Sequence, residues 1–406
     1  MRGGITRRKG DRKGPKTWEI SIDLGRDGTT GKRLRHFETF KGEKREAQQR
    51  LAELLVSLAQ GTYVKPSRLT VAQFLQEWLR DYVGLHCSPR TKASYEMIIR
   101  RHLIPGVGSI LLGQLEPRQL QAFYSQLRES GRVDGRGPLS LCTVRYCHSL
   151  LAEALEYGVR MGLLSRNVAR ATEAPRHDHK VMATLALEDI PKFLEAAQGT
   201  PYYTLFYLLL HTGLRRGEAL ALRWRNIDLG LPSLGVLAYL SVVETAYKLD
   251  GTCIIKEPKS PKSRRRIALS PSLVLILRQH RVRQEAQRGG PLTDEDFVFA
   301  HLDGTPLDPS TVSHTFNKVI RGAGLPHVRL HDLRHTHASL LLQAGTHPKV
   351  VQERLGHSSI RVTLDTYSHV VGGLQEVAAQ RFDDLLAAGG INVGRMSVET
   401  PEDAGK

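Results

Sequence analysis

Two polar, proline-bearing breaks, Gly61 to Arg68 and Ala174 to Lys180 (APRHDHK), divide a chain of 406 residues whose apolar positions otherwise recur at secondary-structure spacing. A chain of this length outgrows a single core, so it is expected to fold as several modules. The breaks set those modules at 1–63, 69–173 and 181–390, with a polar tail at 391–406. The reading is a mainly α multidomain protein with small β elements. No apolar run approaches the roughly 18 residues a membrane span needs; TLFYLLL, from Thr204 to Leu210, is too short and reads as buried helix. The N-terminus is too basic and too poor in apolar residues for a signal peptide, so a cytoplasmic protein is expected. Cys87, Cys142, Cys147 and Cys253 form neither a disulfide framework nor a paired CxxC zinc spacing.

Charge decides what the modules meet. The net charge is +17, and the first 45 residues hold 14 Lys or Arg against 6 Asp or Glu. Cations that neutralise phosphates release condensed counterions, so nucleic acid is the expected partner, ahead of a membrane surface. Within that basic stretch Trp18, Ile20, Ile22 and Leu24 alternate with polar residues, a strand period, and Asp27 to Lys32 turns the chain toward Arg33 to Phe40. A basic β hairpin is expected, followed by a helix over Glu43 to Gln60 with Ala47, Leu51, Leu54, Leu55 and Leu58 on one face. Arg7, Arg8, Lys9, Arg33 and Arg35 are its candidate DNA contacts, although a solvated terminal hairpin would carry similar charge.

In the second module Thr70 is expected to cap a helix carrying Val71, Phe74, Leu75, Trp78 and Leu79. Ser88 followed by Pro89 opens another, running toward His102, because proline at the first helical position loses only an N–H that is already unpaired. Arg90, Lys92, Arg100 and Arg101 on that helix are candidate phosphate contacts. Further helices are expected at Glu116 to Ser130 and Ser140 to Met161. In the third module a short β segment is expected near Ser241 to Leu269.

The third module also carries the chemistry, in HTGLRRGEALALRW (His211 to Trp224), PKSPKSRRRIAL (Pro258 to Leu269), HDLRHTHASLLLQAG (His331 to Gly345) and LGHSSIRVTLDTYSH (Leu355 to His369). Phosphoryl transfer needs a nucleophile, a charge clamp for the nonbridging oxygens and an acid for the leaving oxygen. Arginine suits the clamp because its planar guanidinium grips two phosphate oxygens at once. A phenol, with a pKa of about 10, serves as nucleophile only with a base or a cationic field beside it.

These segments, in this order, resemble the tyrosine recombinase family, and specifically the phage-type integrases. The resemblance implies that Tyr367 attacks the scissile phosphate to form a 3′-phosphotyrosine, that Arg215 and Arg334 clamp the phosphate, and that Lys259 protonates the departing 5′ oxygen. Lys259 is favoured over Lys262 because Ser263, Arg265 and Ile267 then fall in the family's register. His331 is implied as proton carrier or phosphate donor, and His357 as a donor that positions the phosphate. Glu218, one helical turn after Arg215, is expected from that spacing to brace the arginine through a charge-assisted contact. The basic hairpin resembles an arm-type DNA-binding domain, and the helical module a core-binding domain. The resemblance further implies double-stranded attachment sites, a homotetramer on DNA, a Holliday junction, an accessory directionality or DNA-bending factor, and no metal or ATP. A tail helix bearing Leu374, Val377, Ala378, Phe382, Leu385 and Leu386 would dock on a neighbouring protomer.

Taken singly, each motif has a plainer reading. Arg215 and Glu218 could be a surface pair, and Tyr367 a half-buried aromatic. His331 and His335 stand at the i,i+4 spacing of helical zinc ligands, but the HExxH glutamate and a third ligand are missing. GTTGK, at Gly28 to Lys32, lacks the first glycine and the final Ser or Thr of a P-loop. Two other functions compete as wholes: a catalytically silent DNA-binding regulator, which would not need the set of six, and a type IB topoisomerase, which shares the chemistry but not the basic N-terminal hairpin.

Overall fold

A computed structural model describes residues 3–7, 17–26, 30–61, 63–132, 134–135, 137–176, 182–230, 236–258, 263–367 and 374–389. The chain separates into two compact units, Met1–His179 and Lys180–Lys406. Among the described residues no helix is long and apolar enough to cross a membrane.

The first unit contains two separate apolar clusters. In one, β1 (Gly3–Arg7), β2 (Thr17–Arg26) and β3 (Arg33–Lys41) form an antiparallel sheet in the order β1-β2-β3, with Ile5 opposite Ile20 and Trp18 opposite Phe40. The expected hairpin is therefore the outer part of a three-stranded sheet. GGITR carries a single large apolar residue, so β1 has no readable period and shows only through its pairing. The register slips between Asp23 and Gly25, and Gly25 meets the slip at φ 92, a conformation only glycine adopts without strain. Trp18, Ile20 and Ile22 turn one face onto Ala47 and Leu54 of α1 (Lys44–Ala59). Glu43 and Glu46 close a capping box at the start of that helix.

The other cluster is helical. Thr70 caps α2 (Val71–Trp78) by accepting from Gln73 N at 3.3 Å. The chain continues through a π-helical turn, Leu79–Val83, into the short α3 (Gly84–His86). Ser88 caps α4 (Pro89–Ile98), which passes through a second π turn, Ile99–Leu103, into α5 (Ile104–Val107). These π turns are features the sequence reading did not contain. They keep Ile99 and Leu103 in the core while Arg100 and Arg101 stay exposed. α6 (Pro117–Ser130) and α7 (Leu141–Arg160) complete the cluster around Phe74, Leu75, Trp78 and Leu151. Each large side chain buried there contributes about 1.5–3 kcal/mol.

In the second unit α8 (Asp189–Gln198), α9 (Tyr203–Thr212), α10 (Arg216–Leu220), α11 (Pro271–Arg288), α12 (Pro309–Gly322) and α13 (Asp332–Gln343) surround a core that includes Phe193, Phe206 and Phe316. Phe316 lies 5.5 Å from each of the other two rings, centroid to centroid. The expected β segment is two small sheets. β4 (Ile227–Asp228), β5 (Tyr239–Val242) and β8 (Arg265–Ala268) pair in the order β4-β5-β8, and β6 (Thr245–Leu249) pairs with β7 (Thr252–Lys256). α14 (Pro348–Leu355), α15 (Ile360–Tyr367) and α16 (Leu374–Ala388) close the described chain.

Candidate active site

Two glycine turns build the site's frame. α9 ends at Gly213 (φ 64) and α14 at Gly356 (φ 68), both left-handed, and such turns leave helix C-terminal carbonyls without helical partners. Arg334 Nη1 donates to Gly213 O at 2.8 Å and Nη2 to Leu355 O at 2.7 Å. One guanidinium on α13 thus ties the ends of two other helices together. A Cβ on Gly213 would sit 2.6 Å from Leu355 Cδ2 and 2.8 Å from His337 Cδ2, so both backbone conformation and space demand glycine there. Burial, and next the charge of Arg215, push the Arg334 pKa down.

Arg215 immediately precedes α10, and its backbone N–H donates to Glu218 Oε2 at 2.9 Å while its Nη1 donates to Oε1 at 2.8 Å. The brace expected from spacing is present, yet it is more than a surface pair. Glu218 is 5% exposed and also receives Arg265 Nη1 at 3.2 Å and Nη2 at 2.8 Å. Arg265 Nε donates in turn to Arg354 O at 2.7 Å, so β8, α10 and the end of α14 meet at one carboxylate. Burial would raise the Glu218 pKa, but the hydrogen bond from Arg265 and the charges of Arg265 and Arg215 outweigh it and lower the value. Arg215 keeps 41% of its side chain exposed. One carboxylate serves two arginines while Arg334 stands beside them, so the site favours an incoming anion.

The histidines and the tyrosine lie around this cationic centre. His331 precedes α13 and meets His335 edge-on, with ring centroids 5.2 Å apart. Burial and then Arg334 lower the His331 pKa. His357 follows Gly356, and its Nδ1 is 2.9 Å from Thr363 Oγ1; burial, then Arg334 and Arg215, push its pKa down to about 3. Tyr367, on the last turn of α15, packs among Ala338, Leu342, Val351 and Leu355 with 1% of its surface exposed. Burial pushes its phenol up to about 12, against the pull of Arg334. The hydroxyl lies 2.7 Å from Nδ1 of His335.

Arg215, Glu218, His331, Arg334, His357 and Tyr367 are thereby brought together by α10, α13, α14, α15 and the turns between them. Lys259 and Lys262 lie outside the described residues, as do Arg8 and Lys9. Arg7 and Arg35 are exposed on the N-terminal sheet, and Arg90, Lys92, Arg100 and Arg101 are exposed on the helical module. Arg33 is paired with Asp23 through Nε at 2.9 Å. The sequence reading assigned neither Arg265 nor His335 to the site. His335 stood at the zinc-like spacing from His331, a signal that pointed to the right helix face for a different reason.

A helical unit with small sheets, gathering two arginines, two histidines and a tyrosine from segments in this order, defines the class of tyrosine site-specific recombinases. Residues 181–372 match the model described as "Phage integrase family", and residues 70–128 match "Phage integrase, N-terminal SAM-like domain". The chain is 28% identical over 393 residues to "Tyrosine recombinase XerC-like" of Caldanaerobacter subterraneus subsp. tengcongensis, covering 92% of this chain and 97% of that protein. It shares its fold with the Tn1549 transposon integrase solved with a circular intermediate DNA (TM-score 0.64, 20% identity, 77% of this chain and 99% of that one). It also shares it with a lambda integrase tetramer bound to a Holliday junction (TM-score 0.54, 20% identity, 87% and 92%). The chain belongs to the phage integrase family, and its activity is site-specific cleavage and rejoining of DNA strands.

Proposed function

We propose that Tyr367 is the nucleophile, that Arg215 and Arg334 clamp the nonbridging oxygens of the scissile phosphate, and that His331 and His357 donate to the same group. Glu218 holds Arg215 in place. Lys259 protonates the 5′ oxygen as it leaves. The observation that carries this reading is Arg334, whose guanidinium is fixed by the carbonyls of Gly213 and Leu355 beside Arg215 and near enough to Tyr367 for its charge to oppose the rise that burial imposes on the phenol. The energy of the broken ester is kept in the phosphotyrosine, so a 5′-hydroxyl from another strand can reseal it without ATP. Because Tyr367 is 1% exposed, α15 must yield when the phosphate enters.

The partners we propose are double-stranded attachment sites of a mobile element, read by the basic sheet at distal sites and by the helical module with the C-terminal unit at the crossover. Supporting the first are the exposed Arg7 and Arg35, and supporting the second the exposed Arg90, Lys92, Arg100 and Arg101. The assembly would be a homotetramer that passes through a Holliday junction in the cytoplasm, with an accessory factor setting direction. Phe382 and Leu385, 63% and 70% exposed on α16, are suited to cover a second copy of the chain. The test uses a nicked suicide duplex cut from the junction between the element and its host. Tyr367→Phe should bind it as wild type does and trap no covalent complex. A normal covalent yield would reject the nucleophile assignment.

A further inference from the structure

The Tyr367 phenol does not sit in a purely cationic field. Its oxygen is 2.7 Å from Nδ1 of His335, the rings are 5.7 Å apart at 50°, and both residues are buried. His335 sits on α13, between Arg334 and Thr336, and Thr336 Oγ1 accepts from Leu185 N at 3.0 Å, which pins that turn of the helix to another segment of the same unit. His331, one turn earlier, occupies the edge of the His335 ring. The titratable and charged groups facing His335 are therefore His331, Asp332, Arg334, Arg329, His357 and the phenol.

We propose that His335 accepts the phenolic proton of Tyr367 as the phosphate is attacked, an assignment that rests on Tyr367 being the nucleophile. The proton leaves Oη for Nδ1 of the neutral imidazole while the Oη–P bond forms and the P–O5′ bond breaks. The 5′ oxygen departs with a proton from a separate acid, Lys259 in the assignment above. In ligation the 5′-hydroxyl returns its proton to that acid as it attacks. The imidazolium then gives its own back to Oη, so His335 ends neutral.

Electrostatics agree with this direction of transfer. Burial, followed by His331, holds the His335 pKa down to about 4, so at neutral pH the ring is uncharged, and in its Nε2–H tautomer Nδ1 offers a lone pair to the phenol. The phenol is pushed up to about 12, so unaided ionisation at pH 7 leaves roughly one molecule in 10⁵ reactive. A weak base opposite a weaker acid is the situation of serine hydrolases too, where the proton moves only as the new bond makes the nucleophile acidic. A phosphate seated against Arg215 and Arg334 also offsets the cations that depress His335.

The experiment is single-turnover cleavage of the suicide duplex between pH 6 and 9. Wild type should show a rate independent of pH, because His335 is already deprotonated throughout. His335→Asn, whose Oδ1 can take the place of Nδ1 without its basicity, should be about 10²- to 10⁴-fold slower at pH 7 and should gain about tenfold per pH unit. His335→Asn cleaving as fast as wild type or faster would overturn the proposal, since the contact would then merely park the nucleophile. A slowed variant with a flat profile would overturn it as well, leaving only a structural role. The wild-type profile decides on its own should the variant fail to bind DNA: a wild-type rate that climbs tenfold per unit excludes a base already deprotonated at pH 6. Tyr367→Phe run alongside separates the two assignments, because covalent complex in that variant removes the nucleophile itself, whereas its absence leaves His335 to be judged by the profiles.

Discussion

Replacing Glu218 with alanine should unfold the C-terminal unit at a markedly lower temperature. The carboxylate is 5% exposed and receives Arg215 N, Arg215 Nη1 and both terminal nitrogens of Arg265, whose own side chain is 6% exposed. Its removal leaves the Arg265 guanidinium buried with no counter-charge, and breaking a buried pair from one side costs about 3–5 kcal/mol. At roughly 2–4 °C per kcal/mol for a unit of this size, the corresponding transition should fall by about 6–20 °C in scanning calorimetry of the full chain. The loss should depend on pH in a definite sense. Glu218 has a lowered pKa in the folded chain, so its contribution is complete above the ordinary glutamate value of about 4.3 and disappears only as pH falls through the lower, folded value. The gap between wild type and Glu218→Ala should therefore be the same at pH 7 and pH 5.5 and should narrow only below the ordinary carboxylate range. A shift under about 2 °C, or a gap that closes between pH 7 and pH 5.5, would refute the reasoning that this carboxylate is the ionised centre of the site.

Gly213→Ala should destabilise the same unit by more than about 2 kcal/mol, because it adds a left-handed-backbone penalty to a clash with Leu355 and His337. Gly25→Ala, at φ 92 with nothing near its Cβ, should cost about 1 kcal/mol; equal melting shifts for the two would contradict the account of the Gly213 turn. Arg334→Lys should keep the charge but lose the two-carbonyl grip, and cleavage should fall at least about 10²-fold; near-normal cleavage would contradict a clamp that needs guanidinium geometry. Removing residues 1–61 should weaken binding to distal sites and flatten its salt dependence while sparing covalent complex formation, measured by binding isotherms across a salt series.

The parts that were legible in sequence are those fixed by neighbours along the chain. Thr70 and Ser88 cap the helices expected to start at them, since a cap needs only a side chain and the amide three residues on. Glu218 was readable as a brace for Arg215 for the same reason. What stayed hidden depends on distance in space. The strand Gly3–Arg7 exists through its pairing with β2, and the π turns at Leu79–Val83 and Ile99–Leu103 are packing solutions with no spacing of their own. The grip of Arg265 on Glu218 spans 47 residues, and the contact between His335 and Tyr367 spans 32. Residue order pointed to the six candidates, but the depth at which Tyr367 lies required the folded chain.

The central claim is that this phenolic oxygen becomes the covalent link to DNA. Digesting the trapped complex and sequencing the nucleotide-bearing peptide by tandem mass spectrometry tests it most directly. The account predicts a single modified residue, Tyr367, joined to a 3′-phosphate; an adduct on any other residue, or one joined through a 5′-phosphate, would contradict it.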